Sequence, residues 1–306
     1  MNSATNKFVW LGAGASVLLV LVLAIVQVRQ EKSVSEELSR KARRPELAAQ
    51  IRFALASASE AEKSAVLATT DEDSRKFADE ARAATALAEQ RRAELAQLVA
   101  TDGTQREKDL LARFSDAFAK LQRIDKELLD LAVRNTNIKA TALAFGPGAE
   151  AIKQMDAALS RIIEHSARAP KALQLAAGAQ AGALRIQALL PPHIAEESNE
   201  KMDQLEAQMA REDRNVATDL TQLAAVVPHT ERHEVEIATV SYSRFSELRA
   251  QILKLSRENT NVRSLAISLT EKRAIMLVCQ EALAALETAI AEEPIPGKTG
   301  RPARPR

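Results

Sequence analysis

The segment LAVRNTNIKATALAF at residues 131–145 and the segment LSRENTNVRSLAISL at residues 255–269 share the tripeptide Asn-Thr-Asn, 124 positions apart. In the aligned windows 128–145 and 252–269, six of eighteen residues are identical, and five more exchange Leu/Ile, Ile/Val, Lys/Arg or Phe/Leu. Self-similarity at a fixed period is the signature of a repeated structural unit. The two segments therefore predict a tandem repeat.

The composition is typical of a helical protein. Hydrophobic residues make up 46% and charged residues 27% of the 306 residues, and the apolar content is mostly Ala and Leu, with only 3% aromatics. From Glu46 to Phe145 there is no proline and a single glycine, Gly103, which strands joined by tight turns would hardly permit. We predict an all-α fold.

Charge and composition exclude several function classes. A formal net charge of +1 leaves no basic excess for nucleic acid, and the scarce aromatics provide no stacking platform for bases. The single cysteine, Cys279, cannot form a disulfide within the chain and is expected to be a small buried side chain. Glu-x-x-His pairs, Gly-rich phosphate loops and Ser/His/Asp arrangements in strand context are absent from the sequence. We therefore predict no enzyme activity and no cofactor.

The N-terminal segment contains a predicted membrane span. Phe8–Val28, FVWLGAGASVLLVLVLAIVQV, has no charged residue, and a helix of this length is about 30 Å long, the thickness of the hydrocarbon core of a bilayer. No Ala-x-Ala cleavage site follows before Arg29, so an uncleaved anchor is favoured over a removed signal peptide, with Trp10 at the interface. Residues 1–28 are predicted to anchor a single-pass protein in the bacterial inner membrane.

The charges around this span conflict over its orientation. Lys7 is the only basic side chain before it, whereas six follow it in a polar connector, residues 29–44: Arg29, Lys32, Arg40, Lys41, Arg43 and Arg44. The positive-inside rule places the C-terminal domain in the cytoplasm. Long domains can cross the membrane largely regardless of charge, so we predict a periplasmic C-terminal domain and keep the cytoplasmic orientation as the alternative.

The first repeat divides into four helices at helix-capping and helix-breaking residues. ATTDED at 68–73 offers Thr70 as an N-cap, and TDGT at 101–104 holds the glycine. With the first Asn-Thr-Asn, these breaks give helices predicted at 46–69, 72–100, 104–134 and 137–166. Apolar residues recur at spacings of three and four in the third helix: Phe114, Phe118, Leu121, Ile124, Leu128 and Leu131.

The second repeat divides in the same way. Pro191-Pro192, VVPHT at 226–230 and the second Asn-Thr-Asn separate helices predicted at 171–190, 195–225, 230–257 and 260–291. Helices of similar length suit up-down four-helix bundles. We predict two tandem bundles, at residues 45–166 and 167–291, followed by a disordered tail at 292–306 whose proline and glycine residues and basic end lack apolar spacing.

Two interpretations of the Asn-Thr-Asn motif are open. In a helical hairpin, Asn135 takes the left-handed conformation that closes one helix, and Thr136 or Asn137 caps the next. Alternatively, the apolar spacing continues through the motif, the chain runs on as one helix, and Asn135 and Asn259 are core polar residues. The hairpin gives helices of matched length, so we favour it. Gly146-Pro147-Gly148 then forms a kink within the fourth helix.

The first repeat resembles the four-helix-bundle ligand-binding domain of methyl-accepting chemotaxis receptors. The residues that carry the resemblance are the span 8–28, FSDAFAKLQRIDKELLDLA at 114–132, the Asn-Thr-Asn that follows, and FGPGAEAIKQMDAAL at 145–159. The second repeat looks like a diverged copy. The resemblance implies a membrane helix that leads into a periplasmic sensory bundle, working as a homodimer with ligand bound between bundles.

The sequence departs from this family in two respects. Such receptors have a second membrane helix, a linker relay module and a cytoplasmic signalling coiled coil, and no further apolar span occurs before Arg306. We therefore expect output through a membrane signalling partner. Two bundles in one chain also predict a covalent pseudo-dimer, with the homodimer as the alternative.

The candidate binding residues lie in the motifs and on one helix stripe. Arg91 falls among apolar residues of the second helix, where a guanidinium could bind a carboxylate through two hydrogen bonds, although extension of this side chain outward into solvent is the favoured alternative. The motif asparagines are further candidates for a small-molecule ligand: Asn135, Asn137, Asn259 and Asn261. His229 and His233 are four residues apart and form a minor candidate metal pair, but we favour a solvated helix start beside Pro228.

These observations predict a membrane-anchored sensory helical bundle that recognises a small ligand or a partner protein. The alternative is a structural scaffold whose apolar stripes bind partner helices at the membrane. We predict no nucleic-acid partner and no metal beyond the minor histidine pair.

Overall fold

The computed structural model describes residues 38–166 and 169–292. Every regular element in these ranges is an α-helix or a short 3-10 or π-helical segment, and none of these residues forms a strand, which confirms the all-α class. The predicted span Phe8–Val28 lies outside the described residues. So do the start of the predicted connector, up to residue 37, and the predicted tail from residue 293 onward.

The described part of the first repeat contains four helices. Helix α1 covers 38–67, α2 is Asp71–Asp102 and α3 is Gln105–Ala132. Helix α4 comprises Thr136–Leu143, the π-helical segment Ala144–Gly148 and Ala149–His165. The predicted breaks at Thr70, Gly103 and Asn-Thr-Asn are confirmed, and Thr70 Oγ1 accepts a hydrogen bond from the Asp73 amide at 3.0 Å as an N-cap.

Four helices follow in the second repeat. Helix α5 is Pro170–Ala195, α6 is Asn199–Val226, and α7 is Arg232–Glu258 after a 3-10 turn at His229–Glu231. Helix α8 comprises Thr260–Ile267, the π-helical segment Ser268–Lys272 and Arg273–Glu292. The Gly-Pro-Gly irregularity predicted in α4 is thus a π-helical segment, and a second one lies 124 residues later without proline or glycine.

Two predicted breaks differ in the structure. Helix α1 is helical from residue 38 and continues through Pro45, because arginines of the predicted connector pair with acids of α2 and α3: Arg40 with Asp102, Arg43 with Glu94 and Arg44 with Glu107. The break at Pro191-Pro192 was wrong. Helix α5 continues to Ala195 because its last turn buries His193 and Ile194, which offsets the amide hydrogen bonds that the two prolines cannot make.

The helices group into two compact units. The described part of unit 1 contains residues 38–58 of α1, 83–120 of α2 and α3, and 275–292 of α8. Its core includes Leu47, Leu95, Phe114, Phe118 and Leu286, and the rings of Phe114 and Phe118 stack with centroids 5.6 Å apart. The buried ion pair between Arg44 and Glu107, 2.8 Å long, and the exposed pair between Arg52 and Glu287 join these helices.

Unit 2 contains residues 59–82 and 121–274. Helices α4, α5, α6 and α7 pack around one apolar core that includes Met155, Leu159, Ile186, Val216 and Phe245. A second, smaller cluster joins the ends of α1, α2 and α3 to α8 through Ala65, Ala78, Leu128 and Ile267.

The fourth helices are exchanged between the two predicted repeats. Helix α4 packs against α5 and α7 in unit 2, and the last half of α8 belongs to unit 1 with α1, α2 and α3. This grouping differs from the predicted contiguous bundles at 45–166 and 167–291.

Within the described residues, the helical stretch His229–Glu292 includes a window long and apolar enough to cross a membrane by length and composition. Its C-terminal part is helix α8, which buries one apolar row: Met276, Cys279, Leu283, Leu286 and Ile290. A core helix passes the same test of length and composition, so this window does not replace the predicted span at Phe8–Val28.

The start of α3 carries a capping box whose contribution to stability can be measured. Thr104 and Glu107 form a capping box, in which the Glu107 amide donates to Thr104 Oγ1 at 3.2 Å and the Thr104 amide donates to Glu107 Oε2 at 2.8 Å. We expect Thr104→Ala to lower the free energy of unfolding by about 1 kcal/mol in urea denaturation. Thr101→Ala, which removes an exposed hydroxyl from α2, should change it by less than about 0.5 kcal/mol. Equal effects of the two variants would contradict the capping role.

Candidate functional site: the paired Asn-Thr-Asn motifs

Both motifs adopt the same backbone conformation. Asn135 has φ 52° and ψ 39°, and Asn259 has φ 53° and ψ 37°, and among the described residues these are the non-glycine residues with positive φ. Left-handed backbone is costly for most L-residues but is tolerated by asparagine. The predicted helix-closing role of Asn135 is therefore confirmed. The predicted capping by Thr136 or Asn137 is not, because α4 has no side-chain cap.

The threonines of the two motifs pair with one another. The Thr136 amide donates to Thr260 Oγ1 at 3.2 Å, and the Thr260 amide donates to Thr136 Oγ1 at 3.1 Å. The two hydroxyls are 3.2 Å apart and share a hydrogen bond. Thr136 is 4% exposed and Thr260 is fully buried, so each hydroxyl satisfies an amide that water cannot reach.

The asparagines extend this pairing on both sides. The Asn137 amide donates to Asn261 Oδ1 at 3.1 Å, and the Asn261 amide donates to Asn137 Oδ1 at 3.1 Å. Asn137 Nδ2 also donates to Asn259 Oδ1 at 2.7 Å, and Asn261 Nδ2 donates to Asn135 Oδ1 at 3.0 Å. Each motif thus provides the side chains that satisfy the first amides of the helix following the other.

Hydrogen bonds to neighbouring helix ends hold the paired motifs in place. Asn135 Nδ2 donates to Asp71 Oδ1 at 3.1 Å, at the start of α2. Asn259 Nδ2 donates to the Glu196 carbonyl and Asn137 Nδ2 to the Ile194 carbonyl, at the end of α5. The Lys139 ammonium first, and the Asn135 amide second, hold the pKa of Asp71 below its ordinary value.

Residues at an offset of 124 contact each other, which is the property of a two-fold axis. Thr136 pairs with Thr260, Asn137 with Asn261, and Arg134 forms an ion pair with Glu258 at 2.5 Å. The motif occurs twice because each copy completes the other. The asparagines are brought together as the sequence suggested, but their polar groups are bonded within the protein, which favours a structural role over ligand binding.

Arg91, the other predicted binding residue, belongs to unit 1 and not to this site. Its side chain is 28% exposed and contacts Glu94 Oε2 at 3.2 Å. Glu94 also pairs with Arg43, whose guanidinium holds the pKa of this carboxyl below its ordinary value. Arg91 is therefore held in a network at the helix surface.

The two histidines of the candidate metal pair point to no shared ligand. His229 lies exposed in the 3-10 turn, and His233, with a side chain 77% exposed, is 4.0 Å from Glu236. Within the described ranges no group of three or more His, Cys, Asp or Glu side chains is arranged to hold a metal ion. The arrangement agrees with the solvated helix start.

Sequence reasoning missed a buried polar network beside the motifs. His193 is fully buried, with Nδ1 2.8 Å from Ser256 Oγ and Nε2 2.8 Å from Glu206 Oε1. Arg257 also donates to Glu206, and together Arg257 and then His193 lower the pKa of this carboxyl. Although the set resembles a Ser-His-acid triad, Ser256 is fully buried and its hydroxyl donates to the His193 carbonyl at 2.9 Å. The network therefore supports the end of α5 and offers no nucleophile.

An open groove of about 510 Å³ lies between α5 and α6 of unit 2. Its lining consists of Arg185, Ala188, Leu189, Gln208, Arg211 and Glu212. Arg185 contacts Glu212 at 3.2 Å, and the Arg185 side chain is 64% exposed. The sequence singled out none of the basic residues, because they fall on the polar side of their helices.

The threonine pairing predicts a specific pattern of stability changes. Thr136→Val keeps the side-chain shape but leaves the buried Thr260 amide without an acceptor, so we expect the free energy of unfolding to fall by about 1–3 kcal/mol. Thr260→Val should cost a similar amount. The double variant should cost less than the sum, because both changes act on one network. Urea denaturation measures all three.

Thr270→Val is the matched control, since it removes an exposed hydroxyl bonded to its own helix. It should change the free energy of unfolding by less than about 0.5 kcal/mol. Additive effects of Thr136→Val and Thr260→Val would contradict the reciprocal pairing.

Comparison with known families gave a match. A family model described as a four helix bundle sensory module for signal transduction matches residues 10–181, more than half of the chain. The match begins inside the predicted membrane span and ends within α5. No match was found among curated proteins. The chain belongs to the family of four-helix-bundle sensory modules that occur in chemotaxis receptors.

Proposed function

We propose that the protein is a membrane-anchored sensor whose helical bundles bind a small anionic ligand and pass the signal to a membrane partner. The observation that carries this proposal is the family match over residues 10–181, which covers most of the predicted membrane span and all of α1 to α4. Sensory modules of this family typically lie in the periplasm. We place the domain there, although the basic residues after the predicted span favour the opposite side.

The groove between α5 and α6 is the ligand site that the charges support best. Two arginines, Arg185 and Arg211, line it together with one acid, Glu212, above the apolar side chains of Ala188 and Leu189. Exposed ion pairs contribute about 0–1 kcal/mol, so a ligand carboxylate can replace Glu212 as the partner of Arg185 at little cost. This site would bind an organic acid or an amino acid by its carboxylate.

A thermal-shift screen of the full-length protein in detergent tests this function. The panel would contain amino acids and organic acids, and a ligand at 100 times its dissociation constant should stabilise the protein by about 2.7 kcal/mol. We expect Arg211→Ala to abolish the shift. Arg91→Ala is the matched control, because it removes an arginine from the other unit.

The outcomes separate the candidate sites. A thermal shift that is lost in Arg91→Ala but kept in Arg211→Ala would indicate that the ligand binds at Arg91 on α2. No shift from any compound in the panel would contradict the ligand-binding proposal.

A structural scaffold is a second candidate, supported by exposed apolar side chains. Phe145 is 64% exposed and Leu269 is 60% exposed, and they lie 124 residues apart, each within a π-helical segment. Large apolar side chains exposed at equivalent places suit contacts with partner helices. The polar groups of the motif asparagines are already hydrogen-bonded within the protein, which also agrees with a scaffold.

Photo-crosslinking in membranes tests the scaffold. A crosslinking amino acid in place of Phe145 should give a discrete product with a partner protein, and one in place of the exposed Glu150 should not. Equal crosslinking at both positions, or none at either, would contradict a helix-binding surface at Phe145.

A further inference from the structure

A buried cluster of two acids and one base lies between α1, α3 and α8 in unit 2. Lys272 Nζ is 2.9 Å from Glu62 Oε2 and 2.9 Å from Asp125 Oδ1. The side chains of Lys272, Glu62 and Asp125 are 3%, 1% and 8% exposed. Lys272 is the last residue of the π-helical segment of α8, so this irregular turn supplies the cation of the cluster.

The charges of this cluster do not balance. With all three groups ionised, two carboxylates share one ammonium, and one negative charge is buried in excess. Glu62 Oε1 has no hydrogen-bond partner, and the contact of Asp125 Oδ1 with the ammonium is an ion pair without hydrogen-bond geometry. A buried unbalanced charge is expensive, and binding one proton would neutralise it.

Burial raises the pKa of Asp125 above its ordinary value, the Lys272 ammonium opposes this shift, and the Glu62 carboxylate adds to it. Glu62 from α1 and Lys272 from α8 are the charged groups that act on Asp125 from the helices packed against it. Helix α2 contributes apolar Ala78 and Ala81 to the neighbouring core. Asp125 is therefore the group that would take up the proton.

The positions related to this cluster by the 124-residue repeat provide an internal comparison. The positions 124 residues from Glu62, Asp125 and Lys272 hold Ile186, Arg249 and Gly148. Ile186 lies in the apolar core of α4 to α7, and a side-chain carbon at Gly148 would come within 3.9 Å of Ile252. The corresponding place thus lacks the two acids and the lysine, and its Arg249 pairs with Asp213 at 2.8 Å. The repeated unit is therefore formed at the second place without this particular cluster, and replacing buried ion pairs by apolar groups is often neutral or stabilising.

We propose that the Glu62–Asp125–Lys272 cluster is a proton-binding site, and that its occupancy sets how tightly the π-helical segment of α8 packs against α1 and α3. Asp125 takes up one proton as the pH falls, which leaves a balanced pair of Glu62 and Lys272. As the pH rises, the proton leaves and the excess charge weakens the packing. This inference does not depend on the small-molecule ligand proposed above.

The sign of the expected effect follows from linkage. Because the folded protein binds this proton more tightly than the unfolded chain, the stabilisation is complete at low pH and is lost as the pH rises through the pKa of folded Asp125. Between the pKa of Asp125 in the unfolded chain and its pKa in the folded protein, the loss of this one proton raises the equilibrium constant of unfolding about tenfold for each unit by which the pH increases.

Urea denaturation of the full-length protein in detergent, compared with Asp125→Asn over about pH 4–8, measures this linkage. We expect the ratio of the wild-type unfolding constant to that of Asp125→Asn to rise with pH. Glu62→Gln should move the rise to lower pH, because it removes the charge that adds to the shift of Asp125. A ratio that does not change with pH would overturn the proposal.

The control is Asp130→Asn. Asp130 is an exposed acid on the same helix, and Lys126 is the main cause that lowers its pKa. The contribution of Asp130 to stability should be lost as the pH falls, which is the opposite direction.

Hydrogen exchange, with the wild type and Asp125→Asn compared at equal pH, then locates the effect in the structure. Amides at 268–276 should exchange faster in the wild type than in Asp125→Asn at the upper end of the range, whereas amides at 83–120 should not differ. Equal exchange at 268–276 would also overturn the proposal.

Discussion

The reciprocal hydrogen bonds between Thr136 and Thr260 are the interaction on which the rest of unit 2 depends. A helix start leaves several backbone amides without a partner, and a buried helix start must find them partners. Here two helices begin at one place, and each takes its partners from the motif that precedes the other. Neither start is satisfied alone. The same residues that end α3 and α7 thereby determine where α4 and α8 begin.

This constraint explains the choice of residues. Threonine combines a hydroxyl acceptor with a methyl group that tolerates burial, and asparagine combines left-handed backbone with a side chain that both donates and accepts. A valine in place of threonine would lack the acceptor, and a glycine in place of Asn135 would lack the contact with Asp71. The tripeptide therefore recurs because two different needs, backbone conformation and reciprocal bonding, meet at the same three positions.

Local features could be predicted from the sequence, whereas the pairing of helices could not. The helix-closing Asn135, the cap at Thr70 and the buried row Phe114, Phe118 and Leu128 follow from residue chemistry and spacing. An apolar row shows that a helix is buried but not which neighbour covers it, so the exchange of α4 and α8 stayed hidden. Both open interpretations of the motif contained one correct element, left-handed closure in one and buried asparagines in the other.

The remaining differences have local causes. Pro191 and Pro192 usually end a helix, but tertiary burial of the turn that follows outweighs the lost amide hydrogen bonds. The π-helical segment at Ser268–Lys272 contains no proline or glycine, so nothing in its composition distinguishes it from ordinary helix. His193 and Lys272 look like surface residues in the sequence. Their burial is explained by partners that lie far along the chain, Ser256 for His193 and Glu62 for Lys272.

The exchange of the fourth helices has a consequence for how the chain folds during synthesis. Helices α1, α2 and α3 emerge first, yet the part of unit 1 that covers their apolar faces, residues 275–292, is among the last described residues to be made. Contacts between such distant segments slow folding, because a long loop must close before they form. The early helices therefore expose apolar surface until residues 275–292 have been made, and this protein is expected to depend on chaperones or on the membrane surface more than a contiguous bundle would.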